Sequence, residues 1–114
     1  MNELQKDNLL SGFNLELRRG VIVLCVLRKL ITPTYGYNLI EILKSSNIPI
    51  ESNTLYPLLR RLENQGLLES NWNTDETKPR KYYKTTQFGL EILEELKKNW
   101  DITTKNVSKL LEGE

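Results

Sequence analysis

The hydrophobic period of this chain changes once, at Gly66, from about 3.6 residues to 2, which restricts the fold to helices followed by a hairpin. Before Gly66, three segments repeat apolar residues every three or four positions. Asn14 to Lys29 does so through Leu17, Val21, Leu24, Val26 and Leu27, interrupted by Gly20, and Thr32-Pro33 ends it. Thr34 offers an N-cap for a second helix over Tyr35 to Ser46, with Tyr37, Ile40, Ile42 and Leu43 on its apolar side. Asn47 and Pro49 break the chain again. Ser52 or Asn53 caps a third helix that runs to about Gln65, with Leu55, Leu58, Leu59 and Leu62 facing inward and Gly66 at the C′ position. Pro57 falls early in this helix, where few amide hydrogens have intrahelical partners, so its missing donor is tolerated.

After Gly66, Leu68, Ser70 and Trp72 alternate with Glu69 and Asn71, Asn73 to Pro79 supplies turn residues, and Arg80 to Thr85 alternates basic and aromatic side chains. That is the pattern of a β-hairpin. Thr86 then caps a last helix to about Leu111, roughly 39 Å long at 1.5 Å per residue. Along this helix Gly89, Leu93, Leu96, Trp100, Thr103, Val107 and Leu110 are spaced alternately by four and three, an uninterrupted heptad seam. The first half of the seam can pack on the preceding domain, whereas the part after Trp100 projects beyond it and needs a second chain to cover its apolar edge. A homodimer through Leu93, Leu96, Trp100, Thr103, Val107 and Leu110 is therefore expected. The expected fold is mainly α with a small β-hairpin, a winged helix-turn-helix over residues 1–85 with an N-terminal helical arm. Residues 86–114 form its C-terminal dimerisation helix, and the whole is one compact unit.

Charge and composition narrow the function. Sixteen Lys and Arg face fifteen Asp and Glu, yet Lys78, Arg80, Lys81 and Lys84 place four cations within seven residues and no anion among them. The near-neutral total conceals a basic wing. One cysteine, Cys25, and no histidine exclude an intramolecular disulfide, the common zinc constellations and His-based catalysis, and no cofactor is expected. The chain has no nucleophile and base pair and no phosphate-cradling glycine loop, so an enzyme is not expected. The longest apolar run, Val21 to Leu27, is about a third of the span a bilayer requires. Glu3, Asp7 and Glu16 in the first twenty residues do not fit a signal peptide, so a cytoplasmic protein without membrane contact is expected.

In a winged helix-turn-helix the third helix lies in the major groove while the hairpin reaches neighbouring phosphates. Ser52, Asn53, Tyr56 and Arg60 point away from the leucine face of that helix, where hydroxyl, amide and guanidinium groups meet phosphates and base edges. Lys78, Arg80, Lys81 and Lys84 are the expected phosphate contacts of the wing, each releasing condensed counterions. Tyr82 and Tyr83 lie on opposite faces of one strand, so at least one belongs to the core. Tyr35 and Tyr37 read first as packing residues, with a hydroxyl able to meet a phosphate at the helix start.

Tyr35-Gly36-Tyr37, the run Thr54 to Glu63 followed by Gly66-Leu67-Leu68, and Arg80-Lys81-Tyr82-Tyr83 followed by Thr85 together resemble the PadR family of bacterial transcriptional regulators. The resemblance spans roughly residues 17 to 112. It implies a homodimeric repressor, often of efflux or stress-response genes, belonging to the compact subfamily with one long C-terminal helix. It also implies a DNA-binding set of Ser52, Asn53, Thr54, Tyr56, Arg60, Tyr37 and the four wing cations, acting on a pseudo-palindromic double-stranded operator. Trp100 lies on the dimer seam near its symmetry mate, and two indoles there leave a gap walled by apolar groups. That gap is expected to take a small planar aromatic effector, as multidrug-sensing members similar to this chain do with a tryptophan on the corresponding helix. The competing reading is a winged-helix protein interaction module without DNA binding, which would have no need for four wing cations.

Overall fold

A computed structural model of the chain describes residues 1–75 and 77–113. Along it run α1 (Glu3–Lys29), β1 (Thr34–Tyr35), α2 (Gly36–Ser45), α3 (Ser52–Asn64), β2 (Leu68–Asn73), β3 (Arg80–Thr85) and α4 (Gln87–Leu111). The three strands form an antiparallel sheet in the order β1-β3-β2. This is the winged-helix architecture, mainly helical with a small sheet and a long C-terminal helix. No helix among the described residues is long and apolar enough to cross a membrane.

The core forms where the helices meet the root of the wing. Val26, Leu27 and Leu30 come from the end of α1, Leu39 and Leu43 from α2, Leu55, Leu59 and Leu62 from α3, and Leu68, Tyr83 and Leu93 close it. Each such leucine contributes about 1.5–3 kcal/mol of apolar burial. Thr85 ties the wing to α1. Its amide donates to Leu30 O at 2.8 Å and its hydroxyl to Leu27 O at 2.8 Å, serving carbonyls left open at a helix C-terminus. Thr86 caps α4 as expected, accepting from the Gly89 amide at 3.0 Å while its hydroxyl donates to Gly66 O at 2.6 Å. Gly66 closes α3 with φ of 80°, the left-handed C′ position.

Several local expectations are corrected. α1 begins at Glu3 rather than Asn14, because Asn2 and Gln5 form a reciprocal capping box. The residues of its first half are exposed, so it carries no core-facing periodicity to reveal it. Within α1 the buried residues are Ile22, Val26 and Leu27, while Leu17 is exposed and Val21 and Leu24 are half-buried. Thr34 is not the cap of α2. It lies in β1, pairs with Tyr83 and turns its hydroxyl back to Thr32 O at 2.8 Å, and Tyr35 precedes the helix without a side-chain cap. Tyr37 is exposed rather than packed, and Leu39 takes the core position beside Leu43. Neither Ser52 nor Asn53 caps α3, because both are inside it and Glu51 occupies the N-cap without a side-chain bond. Pro57 is therefore the sixth residue of α3, and the missing amide is one that would have served the Asn53 carbonyl. Leu58 is half-buried. β3 begins at Arg80 as expected, while β2 runs one residue further than expected, to Asn73, which pairs with Arg80; Glu76 lies outside the described residues, as does Glu114.

Candidate nucleic-acid interface

Three elements build one face of the molecule. α3 shows Ser52, Asn53, Thr54 and Arg60 to solvent, with Tyr56 half-buried. Tyr56 lies against the start of α2: a Cβ at Gly36 would lie 2.7 Å from its ring and 3.1 Å from its hydroxyl oxygen, so any side chain there would push the ring aside. The hairpin supplies the third wall, since antiparallel pairing sets Trp72 opposite Lys81 and Asn73 opposite Arg80.

The result is a cleft of about 410 Å³ lined by Tyr37, Tyr56, Arg60, Trp72, Arg80, Lys81 and Tyr83 around Gly36. Five of the residues read from the sequence as DNA contacts thus converge: Tyr37, Tyr56, Arg60, Arg80 and Lys81. Guanidinium and ammonium groups beside aromatic rings and two phenolic hydroxyls suit a phosphate backbone, the cations by charge and the hydroxyls by donation. The other candidates sit apart. Asn53 and Thr54 line a second groove of about 590 Å³ between α1 and α3, with Arg19 and Arg61 at its edge. Ser52 is exposed at the start of α3, Lys78 stands in the wing turn, and Lys84 is exposed on β3 opposite Glu69.

The strand alternation settles the tyrosines. Tyr83 is buried, while Tyr82 on the other face stacks on Tyr35 with centroids 3.7 Å apart, and Arg80 lies 5.0 Å from the Tyr35 centroid. Lys81 shares the Tyr83 face. Its ammonium is 5.3 Å from the Tyr83 ring, 6.0 Å from the Trp72 ring and 3.8 Å from the Glu63 carboxylate on α3. Trp72 is the cleft-lining residue that sequence reasoning missed. It belonged by alternation with inward-facing Leu68 and Ser70, yet it is 63% exposed because the hairpin outruns the core. The strand register opposite Lys81 is the signal that places it.

A third, more apolar groove of about 520 Å³ runs between α1 and α4, with Leu17, Val21, Leu24, Leu96, Trp100 and Val107 on its walls. Gly89 lets α4 start against the wing root, since a Cβ there would collide with Leu67 O and stand 2.7 Å from Thr85 Cγ2. Leu93 is buried and Leu96 half-buried, whereas Trp100, Thr103, Val107 and Leu110 are exposed in the single chain. Among the described residues no three His, Cys, Asp or Glu side chains cluster to hold a metal ion.

The model of the transcriptional regulator PadR-like family matches residues 23–95. A PadR family transcriptional regulator from Eggerthella lenta is 50% identical, with 97% of this chain and 99% of that one covered at a TM-score of 0.90. A PadR-like transcription factor from Bacteroides fragilis is 34% identical over 87% of this chain and 98% of its own, at a TM-score of 0.72. A PadR-like transcriptional regulator from Bacillus cereus is 33% identical over 87% and 99%, at 0.73. With the family model matching residues 23–95 and the fold shared over nearly the whole chain, the chain belongs to the PadR family of DNA-binding transcriptional regulators.

Proposed function

We propose that the protein is a sequence-specific, homodimeric repressor acting in the cytoplasm on a pseudo-palindromic operator. Two copies of α3 enter successive major grooves, with half-sites about 10 base pairs apart or a multiple of that. Asn53, Tyr56 and Arg60 read bases, Ser52, Thr54 and Tyr37 assist at the backbone, and Lys78, Arg80, Lys81 and Lys84 hold phosphates. The observation that carries this reading is the convergence of α2, α3 and both wing strands on one cleft rich in cations and hydroxyls. In this reading residues 1–85 bind the operator and residues 86–114 join the two copies.

Dimerisation accounts for the exposed half of the α4 seam. Trp100, Val107 and Leu110 are 39%, 45% and 73% exposed, and the α1 arm adds exposed Leu10, Phe13 and Leu17. Apolar area of this kind is removed from water by a symmetry mate. The α1–α4 groove then supplies the effector site, where Trp100 stacks on a planar aromatic molecule and the ligand shifts operator affinity by roughly 1–3 kcal/mol. Relief of repression at efflux or stress-response genes follows.

Sequencing genomic fragments retained by the purified protein yields one recurrent pseudo-palindrome if this reading holds. Asn53→Ala or Tyr56→Ala then costs about 1–3 kcal/mol at one base pair and little elsewhere. Retention of no duplex, or of duplexes without a common site, contradicts it. Quenching of the Trp100 indole by planar cationic dyes in a Trp72→Phe background tests the effector site, and quenching that survives Trp100→Ala removes it.

A further inference from the structure

Glu63 closes α3 onto the wing with both carboxylate oxygens. Ser70 of β2 donates its hydroxyl to Oε2, and Lys81 of β3 places its ammonium 3.8 Å from Oε1. One side chain on the groove-facing helix thereby holds both strands of the hairpin. Lys81 is further confined by the Trp72 and Tyr83 rings, and its side chain is 31% exposed, so it lines the cleft without reaching freely into solvent. A carboxylate with two acceptor oxygens offers Lys81 what a DNA phosphate offers through its two non-bridging oxygens.

We propose that Glu63 is a built-in phosphate surrogate: it holds Lys81 in the free protein and yields it to a backbone phosphate when duplex DNA enters the cleft. The inference rests on the reading of α3 and the wing as the DNA surface. Lys81 does not arrive at DNA as a free cation, because each new phosphate contact is offset by the ion pair it replaces. The pair is a third exposed, so the offset is modest. In exchange, the wing keeps one orientation before DNA arrives, and Glu63 acts as a positioning residue rather than a DNA contact.

The test measures binding of the full chain to a random-sequence DNA duplex for the wild type, Glu63→Gln, Lys81→Gln, the double variant and Glu69→Gln. Glutamine keeps an oxygen for the Ser70 hydroxyl while removing the charge. Glu63→Gln is expected to tighten binding about threefold and Lys81→Gln to weaken it about threefold. In the Lys81→Gln background the Glu63→Gln gain disappears. A gain that persists there, or that Glu69→Gln reproduces, is general charge repulsion and overturns the proposal, as does a Glu63→Gln protein that binds no better or more weakly. If the wild type binds no duplex even at low salt, the DNA reading fails and takes this inference with it. A wild type that binds with Glu63→Gln unchanged sinks this inference alone.

Discussion

Leu93 and Val107 occupy the same stripe of α4, two heptads apart, and end in opposite surroundings: one is 2% exposed, the other 45%. The helix is continuous and the spacing identical. What differs is what stands opposite: α1 and the end of α2 close over Leu93, whereas Val107 lines the open groove between α1 and α4. α1 repeats the contrast in reverse, with an exposed first half and Ile22, Val26 and Leu27 buried near its end. Periodicity thus reports that a face is apolar and helical, whereas the surrounding topology decides whether the face packs within the chain or stays exposed.

The sharpest contrast comes from truncation to alanine at the two positions. Leu93→Ala is expected to cost about 2–5 kcal/mol in urea unfolding, through lost burial and the cavity left behind. Val107→Ala, at concentrations where the chain is monomeric, stays within about 0.5 kcal/mol. Equal losses would mean that the seam is buried within one chain. Next comes Gly89→Ala, which drives a methyl into Leu67 O and should cost about 1–3 kcal/mol by the same measurement, whereas Gly20→Ala meets nothing within 4 Å and is tolerated. Thr86→Ala removes the α4 cap and should cost about 1 kcal/mol.

The smallest effect concerns Cys25 at the α1 end of the packed half. Burial pushes its thiol pKa up, partly countered by Lys29. A folded pKa above the unfolded one favours the protonated thiol, so this contribution is present below the unfolded value near 9 and declines as pH rises through the folded one. Alkylation at neutral pH should be slower in the folded protein than in urea, and equal rates would show the thiol to be free.

The order of elements was legible because each helix behind the wing has a buried face, and Gly66 and Thr86 mark real boundaries through left-handed backbone and a side-chain cap. The α1 arm was not, since Leu4 to Leu17 face solvent and follow no core. β1 is two residues long, below the length at which alternation means anything, and it displaced the cap expected at Thr34. Within the candidate site, Tyr56, Arg60, Arg80 and Lys81 were readable one by one from chemistry and spacing, whereas Tyr37 read first as a packing residue and entered the set through the family resemblance. Their shared cleft was not readable, because it depends on Gly36 against Tyr56 and on strand register, both contacts between distant segments. Nothing in the sequence singles out Glu63, because Ser70 and Lys81 come beside it only through the fold.

In the proposed function α3 and the wing bind duplex DNA through the cationic cleft, and titrating a genomic-fragment duplex across salt concentrations probes that contact itself. Affinity should fall linearly on logarithmic axes as salt rises, and Lys81→Ala should make that slope shallower by about one unit per bound copy. Binding that ignores salt, or no binding at low salt, would contradict the account.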